Sequence, residues 1–264
     1  MIRDLMLTSI ETVTGFDLVT GNLKFILDEL QNVTLDNAEE TSDITGKNGR
    51  ILSRLKRNKT VTISGTSGML SGGLMEAQTG GKFESKTTEV MWTDYLTVKS
   101  NAATTSFTAV GTTGAEIIAL YAKNADGTLG DLLTQGDAVA EGVFTYSPAT
   151  KALAFNEGEI ADGSEVVVKY KRKIQGDVLG NDAENYSEKC VLYIDALAED
   201  TCGNVFRVQI YVPKADMSGN FSIEASDSQA THPFEATSLA GSCGANGTEL
   251  WTYTVYGANA ADVV

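Results

Sequence analysis

The one histidine of this sequence, His232, has the side chain best suited to acid–base chemistry near neutral pH. It precedes Pro233 and Phe234 in a segment that has the character of a β-strand. A general base needs a matched nucleophile, and no such residue accompanies His232. We therefore predict that the chain is not an enzyme and that it has no catalytic residue.

Two glycine-rich segments are faintly similar to phosphate-binding loops: residues 64–68, Ser-Gly-Thr-Ser-Gly, and residues 80–82, Gly-Gly-Lys. Neither matches the spacing of the P-loop, so a turn is the simpler interpretation of each. Residues 124–131 hint at a calcium loop, but the spacing is wrong and the terminal glutamate is missing. We predict a hairpin turn there, and no bound cofactor.

Two further groups of side chains could in principle hold a metal ion. Glu39, Glu40 and Asp43 are close in sequence, but a solvated or partner-facing acidic loop explains them better. The chain has three cysteines, an odd number, and no C-x-x-C pair. A zinc site or a disulfide framework is therefore not expected, and we predict no metal site.

The strongest signal is a basic segment at residues 47–59. Its six cationic side chains, with no acidic one among them, are Lys47, Arg50, Arg54, Lys56, Arg57 and Lys59. The whole chain has 20 Lys+Arg against 35 Asp+Glu, so without these six the remainder has 14 against 35, a net charge of −21. An oppositely charged partner for this segment could be nucleic acid, a membrane or another copy of the chain. A plain solvated surface loop is the simplest alternative.

Two of those partners are less favoured by the surrounding residues. No aromatic side chain lies between Phe25 and Phe83, whereas nucleic-acid binding usually uses aromatic stacking. A membrane surface would need a basic amphipathic helix, and Gly46 and Gly49 crowd the start of the short stripe of residues 51, 52 and 55. Self-recognition needs only the abundant acidic surface elsewhere. In such a contact, charge would set orientation while buried apolar area supplies affinity.

The cysteines and the lengths of the apolar runs indicate the cellular compartment in which the protein folds. Free thiols suggest folding in a reducing cytoplasm. No apolar run at the start is long enough for a signal peptide, and no segment is long enough to cross a membrane. We therefore expect no membrane partner.

The elements that must position these residues are mainly β-strands. Residues 60–64 alternate cleanly, with Val61 and Ile63 on one face and Thr60, Thr62 and Ser64 on the other. Before them, residues 36–59 form a long polar stretch that we interpret as a loop. Residues 22–31 fit a helix or a strand equally well. A short helix is predicted near residues 73–79.

The rest of the chain divides into two parts. Short strands and turns recur about every ten residues over 101–175, which predicts an inserted β-sandwich. Residues 1–100 and 176–264 then form one discontinuous body. In that body, residues 188–213 form a hairpin that ends at Pro213, and strands follow near 221–225, 234–239 and 250–256. One face of this hairpin carries Cys190, Leu192, Ile194 and Ala196.

Several segments resemble the tail tube (major tail) proteins of tailed bacteriophages. The resemblance rests on residues 23–32, the acidic and glycine-containing segment 39–49, and residues 55–68. It extends over 190–213, 221–225 and the strand 232–239 that precedes a terminal aromatic strand. The insertion at 101–175 is similar to the immunoglobulin-like β-sandwiches of phage structural proteins, on residues 120–130 and 152–170.

The resemblance implies a tail-tube β-sandwich or barrel with extended hairpins and one short helix, whose subunits form stacked hexameric rings. By position, residues 36–59 match a loop that reaches the neighbouring ring, and 60–64 match a strand of the lumenal barrel. It further implies that the six cations of 47–59 make inter-ring contacts, that Thr60, Thr62 and Ser64 face the lumen, and that the insertion decorates the tube exterior.

We expect a structural virion protein that assembles in the host cytoplasm and conducts the genome at ejection. Its partners would be other copies of itself and other phage tail proteins, with double-stranded DNA passing through without specific binding. The alternative is a virion decoration or adhesion protein in which the immunoglobulin-like insertion is the functional part.

Overall fold

The computed structural model describes residues 4–124, 126–225, 230–241 and 247–257. The chain is mainly β, as predicted, and divides into two compact units. The first unit combines Met1–Phe83 with Leu179–Val264, and the second spans Glu84–Val178. The second unit is thus wider than the predicted segment 101–175, because long strands at both of its ends belong to its sheet. Its immunoglobulin-like character stays a prediction.

The first unit contains one nine-stranded sheet and a short helix. The elements are β1 Leu5–Asp17, β2 Leu23–Leu27, β3 Leu30–Thr45, β4 Ile51–Ser67, α1 Gly72–Thr79, β12 Lys189–Asp200, β13 Val205–Met217, β14 Glu224–Ala225, β15 Ala230–Ser238 and β16 Thr252–Gly257. The sheet follows the path β2-β1-β12-β13-β15-β4-β3, with β14 beside β15 and β16 beside β13.

This sheet curls around its own core. Phe25 in β2 and Ile63 in β4 lie near opposite ends of the strand order, yet they are buried in the same cluster, together with Leu74 of α1. One face of β12 supplies Cys190, Leu192, Ile194 and Ala196, all buried, which confirms the predicted alternation of that hairpin. The ambiguous residues 22–31 contain strand β2, since Phe25 and Leu27 are buried while Ile26 is exposed.

A glycine permits close contact where β4 meets β15. Gly65 pairs with Phe234, and a Cβ on Gly65 would lie 2.6 Å from a ring carbon of Phe234 and 2.7 Å from the carbonyl oxygen of Asn32. The Phe234 ring therefore occupies the space that a side chain at residue 65 would need. Glycine within a strand marks this kind of close approach.

Two predicted strand limits are wrong. Pro213 does not end its hairpin, because β13 continues to Met217. The pairing shifts between Cys190–Ala215 and Leu192–Val212, which places Pro213 in a bulge, where a residue without an N–H is tolerated. The strand predicted at 221–225 is limited to Glu224–Ala225.

The second unit contains a seven-stranded sheet. Its strands are β5 Phe83–Thr97, β6 Ala102–Thr104, β7 Ile117–Lys123, β8 Leu129–Gln135, β9 Val143–Ser147, β10 Ala152–Ala154 and β11 Glu165–Leu179. Their order in the sheet is β5-β11-β7-β8-β9-β10-β6. Its core includes the fully buried Tyr170, whose hydroxyl donates to Asp94 over 2.7 Å. Arg172 stacks on the Trp92 ring, 4.3 Å from the centroid.

Candidate functional site

The most prominent feature of the first unit is a hairpin that extends beyond the sheet. Strand β15 pairs with β4 only over Val61–Ser67, while β3 and β4 stay paired as far as Thr45 and Ile51. Residues 38–60 therefore form a two-stranded ribbon, which we call the arm. Its ten β4 residues, Ile51–Thr60, span about 30 Å at roughly 3.4 Å per residue, and all ten are exposed. The predicted loop 36–59 is thus almost entirely strand.

The turn of the arm is built on Asn48 and Gly49. Both have positive φ, 64° and 75° respectively, a backbone that Asn-Gly adopts readily in hairpin turns. The Gly46 N–H donates to the carbonyl oxygen of Arg50 over 2.7 Å and closes the turn. This Asn-Gly dipeptide was a sequence signal for the hairpin, and the prediction of a loop missed it.

The acidic and basic segments of the arm face each other across the ribbon. Arg54 makes two parallel hydrogen bonds to the Asp43 carboxylate, from Nε at 2.7 Å and from Nη2 at 3.0 Å. Lys56 Nζ lies 2.5 Å from Glu39 Oε1. The hydrogen bond from Arg54 lowers the pKa of the Asp43 carboxyl below its usual value. The first partner of the basic segment is therefore the other strand of its own hairpin.

Four of the six predicted contact residues remain available to another molecule. Within the part of the chain that the structure describes, no ion pair is formed by Lys47, Arg50, Arg57 or Lys59. The arm as a whole has six cations and three carboxylates, a net charge of +3 in a chain of net charge −15. It therefore keeps a positive surplus after its internal pairs are satisfied.

The arm also exposes apolar side chains. Ile44 and Leu55 are 46% and 49% exposed, and Leu52 near the turn is 70% exposed. Neighbouring residues of a strand point to opposite faces, so Ile44 and Leu55 lie on the face opposite the Asp43–Arg54 pair. Ile44 and Leu55 thus form a small apolar patch on one face of the arm.

The three residues predicted to face the lumen lie where the arm joins the sheet. Val61 and Ile63 are fully buried, while Thr60, Thr62 and Ser64 lie on the other face, as the alternation predicted. On that face, Thr62 lies between its pairing partners Asp36 and Thr237. Ser64 likewise lies between Thr34 and Glu235. These paired rows carry hydroxyls and carboxylates and no cation; we call them the hydroxyl face.

His232 has a structural role. It is fully buried, its Nδ1 accepts a hydrogen bond from the Ser71 N–H over 3.3 Å, and its Nε2 lies 2.9 Å from Gln78 Oε1. The first contact leaves the ring proton on Nε2, which donates to Gln78. Burial lowers the pKa of His232, so the ring is neutral and ties β15 to helix α1.

The weaker chemical candidates also form ordinary local structure. Ser64–Ser67 are residues of β4, and Gly80 ends helix α1 in a left-handed conformation. In the predicted turn at 124–131, Asp126 Oδ1 accepts hydrogen bonds from the backbone N–H and the hydroxyl of Thr128. Among the residues described, no three His, Cys, Asp or Glu side chains come together as a metal site. None of the described helices has the length and apolarity needed to cross a membrane.

A mainly β chain with a projecting hairpin that exposes apolar side chains and surplus charge has the features of a structural, self-assembling subunit. A family model described as the YomU/Tube protein family matches residues 5–250, and the chain belongs to that family. The name of the family indicates a structural protein of the phage tail tube, a component of the virion tail that assembles with itself and with other tail proteins. A comparison with curated proteins returns no match.

Proposed function

We propose that this protein forms hexameric rings that stack into the phage tail tube and conduct the genome at ejection. The observation that carries the proposal is the arm. This ribbon of about 30 Å leaves Ile44, Leu52 and Leu55 between 46% and 70% exposed. Membership of the YomU/Tube family supports the same function.

The arm suits contact between successive rings. An arm that inserts into a different surface of the next copy makes a heterologous contact, and repetition of such a contact builds a filament. Arg54 and Lys56 hold the ribbon in shape through Asp43 and Glu39. Their role is therefore internal, and the inter-ring charge contacts fall to Lys47, Arg50, Arg57 and Lys59. The apolar side chains supply affinity, and these four cations set orientation.

The hydroxyl face suits the wall of the tube lumen. Thr60, Thr62 and Ser64, together with Asp36 and Glu235, offer no positive charge to a phosphate. DNA affinity depends on cations that displace counterions, so a wall of hydroxyls and carboxylates allows DNA to pass without binding. The interaction with DNA is transient and independent of its sequence.

In this proposal the protein catalyses no reaction and assembles in the host cytoplasm before it enters the virion. The unit Glu84–Val178 decorates the tube exterior and is dispensable for tube formation. It can be removed cleanly because the chain enters and leaves it at neighbouring points: a Cβ on Gly81 would lie 2.5 Å from the carbonyl oxygen of Gly180. A short Gly-Ser linker can therefore replace residues 84–178.

Negative-stain electron microscopy of the purified protein tests the proposal, with a tail initiator added if nucleation is needed. The matched variant removes Ser42–Leu55 and joins Thr41 to Lys56, which face each other in the ribbon, through Asn-Gly. We expect tubes from the native chain and from the variant without residues 84–178, and unstacked rings from the short-arm variant. Monomers alone at high concentration, or tubes from the short-arm variant, would overturn the proposal. Loss of tubes on removal of 84–178 would instead favour a decoration or adhesion protein.

A further inference from the structure

A second surface of the first unit is apolar and partly exposed, on the same sheet as the hydroxyl face. On β12 and β13, Tyr193 pairs with Tyr211, and their rings lie 5.0 Å apart between centroids. Phe16 of β1 meets the Tyr193 ring edge-on at 5.6 Å. These side chains point away from the buried core, because the residues between them, such as Leu192 and Val212, fill it. We call this surface the tyrosine face and define it by Phe16, Ile26, Val191, Tyr193 and Tyr211.

Four residues of the tyrosine face, all except Ile26, line an open groove of about 400 Å³ beside the turn between β1 and β2. Ile26 lies in the same cross-strand row as Tyr193, since Thr14 pairs with both. Asp17 shapes this turn by accepting hydrogen bonds from the backbone N–H groups of Val19 and Thr20, at 2.9 and 2.7 Å. The Thr20 bond is the main reason that the pKa of Asp17 lies well below its usual range. Lys24 lies 3.2 Å from Asp17 and also pairs with Glu188. The wall of the groove is therefore ordered before any partner binds.

Two further carboxylates, those of Asp195 and Glu249, lie close to the groove. Burial raises the pKa of the Tyr211 hydroxyl, and the neighbouring Tyr193 and the carboxylate of Glu249 add to that effect. Asp195 lies two residues beyond Tyr193 on the same strand face and accepts a hydrogen bond from Gln209 over 2.8 Å. An apolar groove with carboxylates beside it is complementary to an apolar segment that carries cations.

The arm is such a segment. Its end combines the exposed apolar residues Ile51 and Leu52 with Lys47 and Arg50, two of the four cations that form no ion pair within the described residues. Aromatic rings that are partly exposed offer large contact area at low entropic cost, and charge complementarity selects the partner. One chain thus displays both members of a complementary pair on separate surfaces of one unit.

We propose that the tyrosine face of one copy receives the arm tip of a second copy. The inference rests on the proposed function and names the surface that the arm contacts. Because donor and acceptor are different surfaces, each copy gives one contact and receives one. A heterologous contact of this kind builds a filament when its repetition does not close into a ring. The hydroxyl face takes no part in this contact and stays exposed to solvent.

Disulfide crosslinking tests the pairing directly. Ile26 and Leu52 are 51% and 70% exposed, so cysteines placed there should leave the fold intact. Cys202 and Cys243 are first replaced by serine, while Cys190 is kept because it is buried. The double variant Ile26→Cys/Leu52→Cys is assembled, oxidised and run on a non-reducing gel beside each single variant. A disulfide forms only if the two Cβ atoms come within about 3.5–4.5 Å.

A ladder of covalent multimers from the double variant alone would support the proposal. Suppose that tubes form normally under the microscope but the double variant runs as a monomer on the non-reducing gel. That result would overturn the docking proposal and leave the proposed function standing. Dimers from Ile26→Cys alone would also overturn it, because they would mean that two tyrosine faces meet each other. The absence of tubes from the parent chain would overturn both proposals.

A charge substitution gives an independent readout. Ile26→Glu should raise the protein concentration needed for tube formation at least about tenfold, because it removes apolar burial and adds a like charge to an acidic surface. Met69→Glu is the matched control, since Met69 is also exposed in the first unit but lies outside the tyrosine face. Equal effects of the two substitutions would contradict the proposed docking surface.

Discussion

Replacing Val61 and Thr62 separately tests whether β4 has the two faces on which the proposed lumen depends. Val61 is fully buried in the core of the first unit, whereas Thr62 lies on the hydroxyl face. Val61→Ala removes two methyl groups, at about 0.8 kcal/mol each, and leaves a cavity, so we expect a loss of roughly 2–3 kcal/mol. Thr62→Ala removes atoms from a partly exposed site outside the core and should change the free energy of unfolding by about 0.5 kcal/mol or less.

Urea unfolding can measure this difference in the first unit alone, since the described tryptophans are divided between the units. Trp251 packs against the core of the first unit, and Trp92 belongs to the second. In a Trp92→Phe background, Trp251 fluorescence reports the first unit. Val61→Ala should lower the unfolding midpoint by about 1 M, and Thr62→Ala by about 0.3 M or less. Equal shifts would refute the assignment of the two faces.

Three further predictions concern the arm, the buried histidine and the lumen. Arg57→Glu should block ring stacking. The swap Asp43→Arg/Arg54→Asp keeps the internal ion pair and should leave tubes normal under the microscope. Normal tubes from Arg57→Glu would contradict the role of the unpaired cations. Because the folded-state pKa of His232 is lowered from 6.5, its contribution to stability is complete above that pH and is lost as the pH falls below it. His232→Gln should remove this pH dependence below about pH 6.5, and an unchanged pH profile would count against a neutral buried ring. Thr62→Lys should leave tubes intact but slow genome ejection from assembled virions, because it adds a phosphate-binding cation to the proposed lumen. An unaltered ejection rate would show that Thr62 does not face the DNA.

Strand identity followed from the sequence where the alternation is regular, but not at residues 22–31, where the apolar pattern fitted a helix and a strand equally well. Residues 60–64 and the 190–196 side of the long hairpin alternate so regularly that the core could be predicted residue by residue, and the structure confirms both. A bulge is harder to foresee: Pro213 is a strand breaker by its own chemistry, and only the shifted register of β12 against β13 shows why the strand continues past it.

The arm was the part that the sequence described least well. Its side chains are exposed on both faces, so hydrophobic alternation, which depends on burial, gives no strand signal there. The Asn48-Gly49 turn was the available signal. Folding the chain at this turn places Asp43 opposite Arg54, so two runs of opposite charge become one internally paired ribbon. The basic segment could be found from the composition alone. Its partner within the hairpin could be identified only from the register in which β3 pairs with β4.

The tyrosine face could not be anticipated for a related reason. Phe16, Tyr193 and Tyr211 are separated by up to 195 positions, from Phe16 to Tyr211, and only the order β1-β12-β13 brings them onto one surface. An aromatic residue within a strand is most simply explained as core. Only the structure shows that these rings point away from the core and border an open groove.

In the proposed assembly, this chain builds a tube by stacking rings through its arm. Cryo-electron microscopy of the assembled protein should show stacked rings of six subunits, with Thr62 and Ser64 on the lumen wall and each arm inserted into the adjacent ring. A particle without stacked rings, or a tube whose arms point outward into solvent, would show that the chain does not assemble in this way.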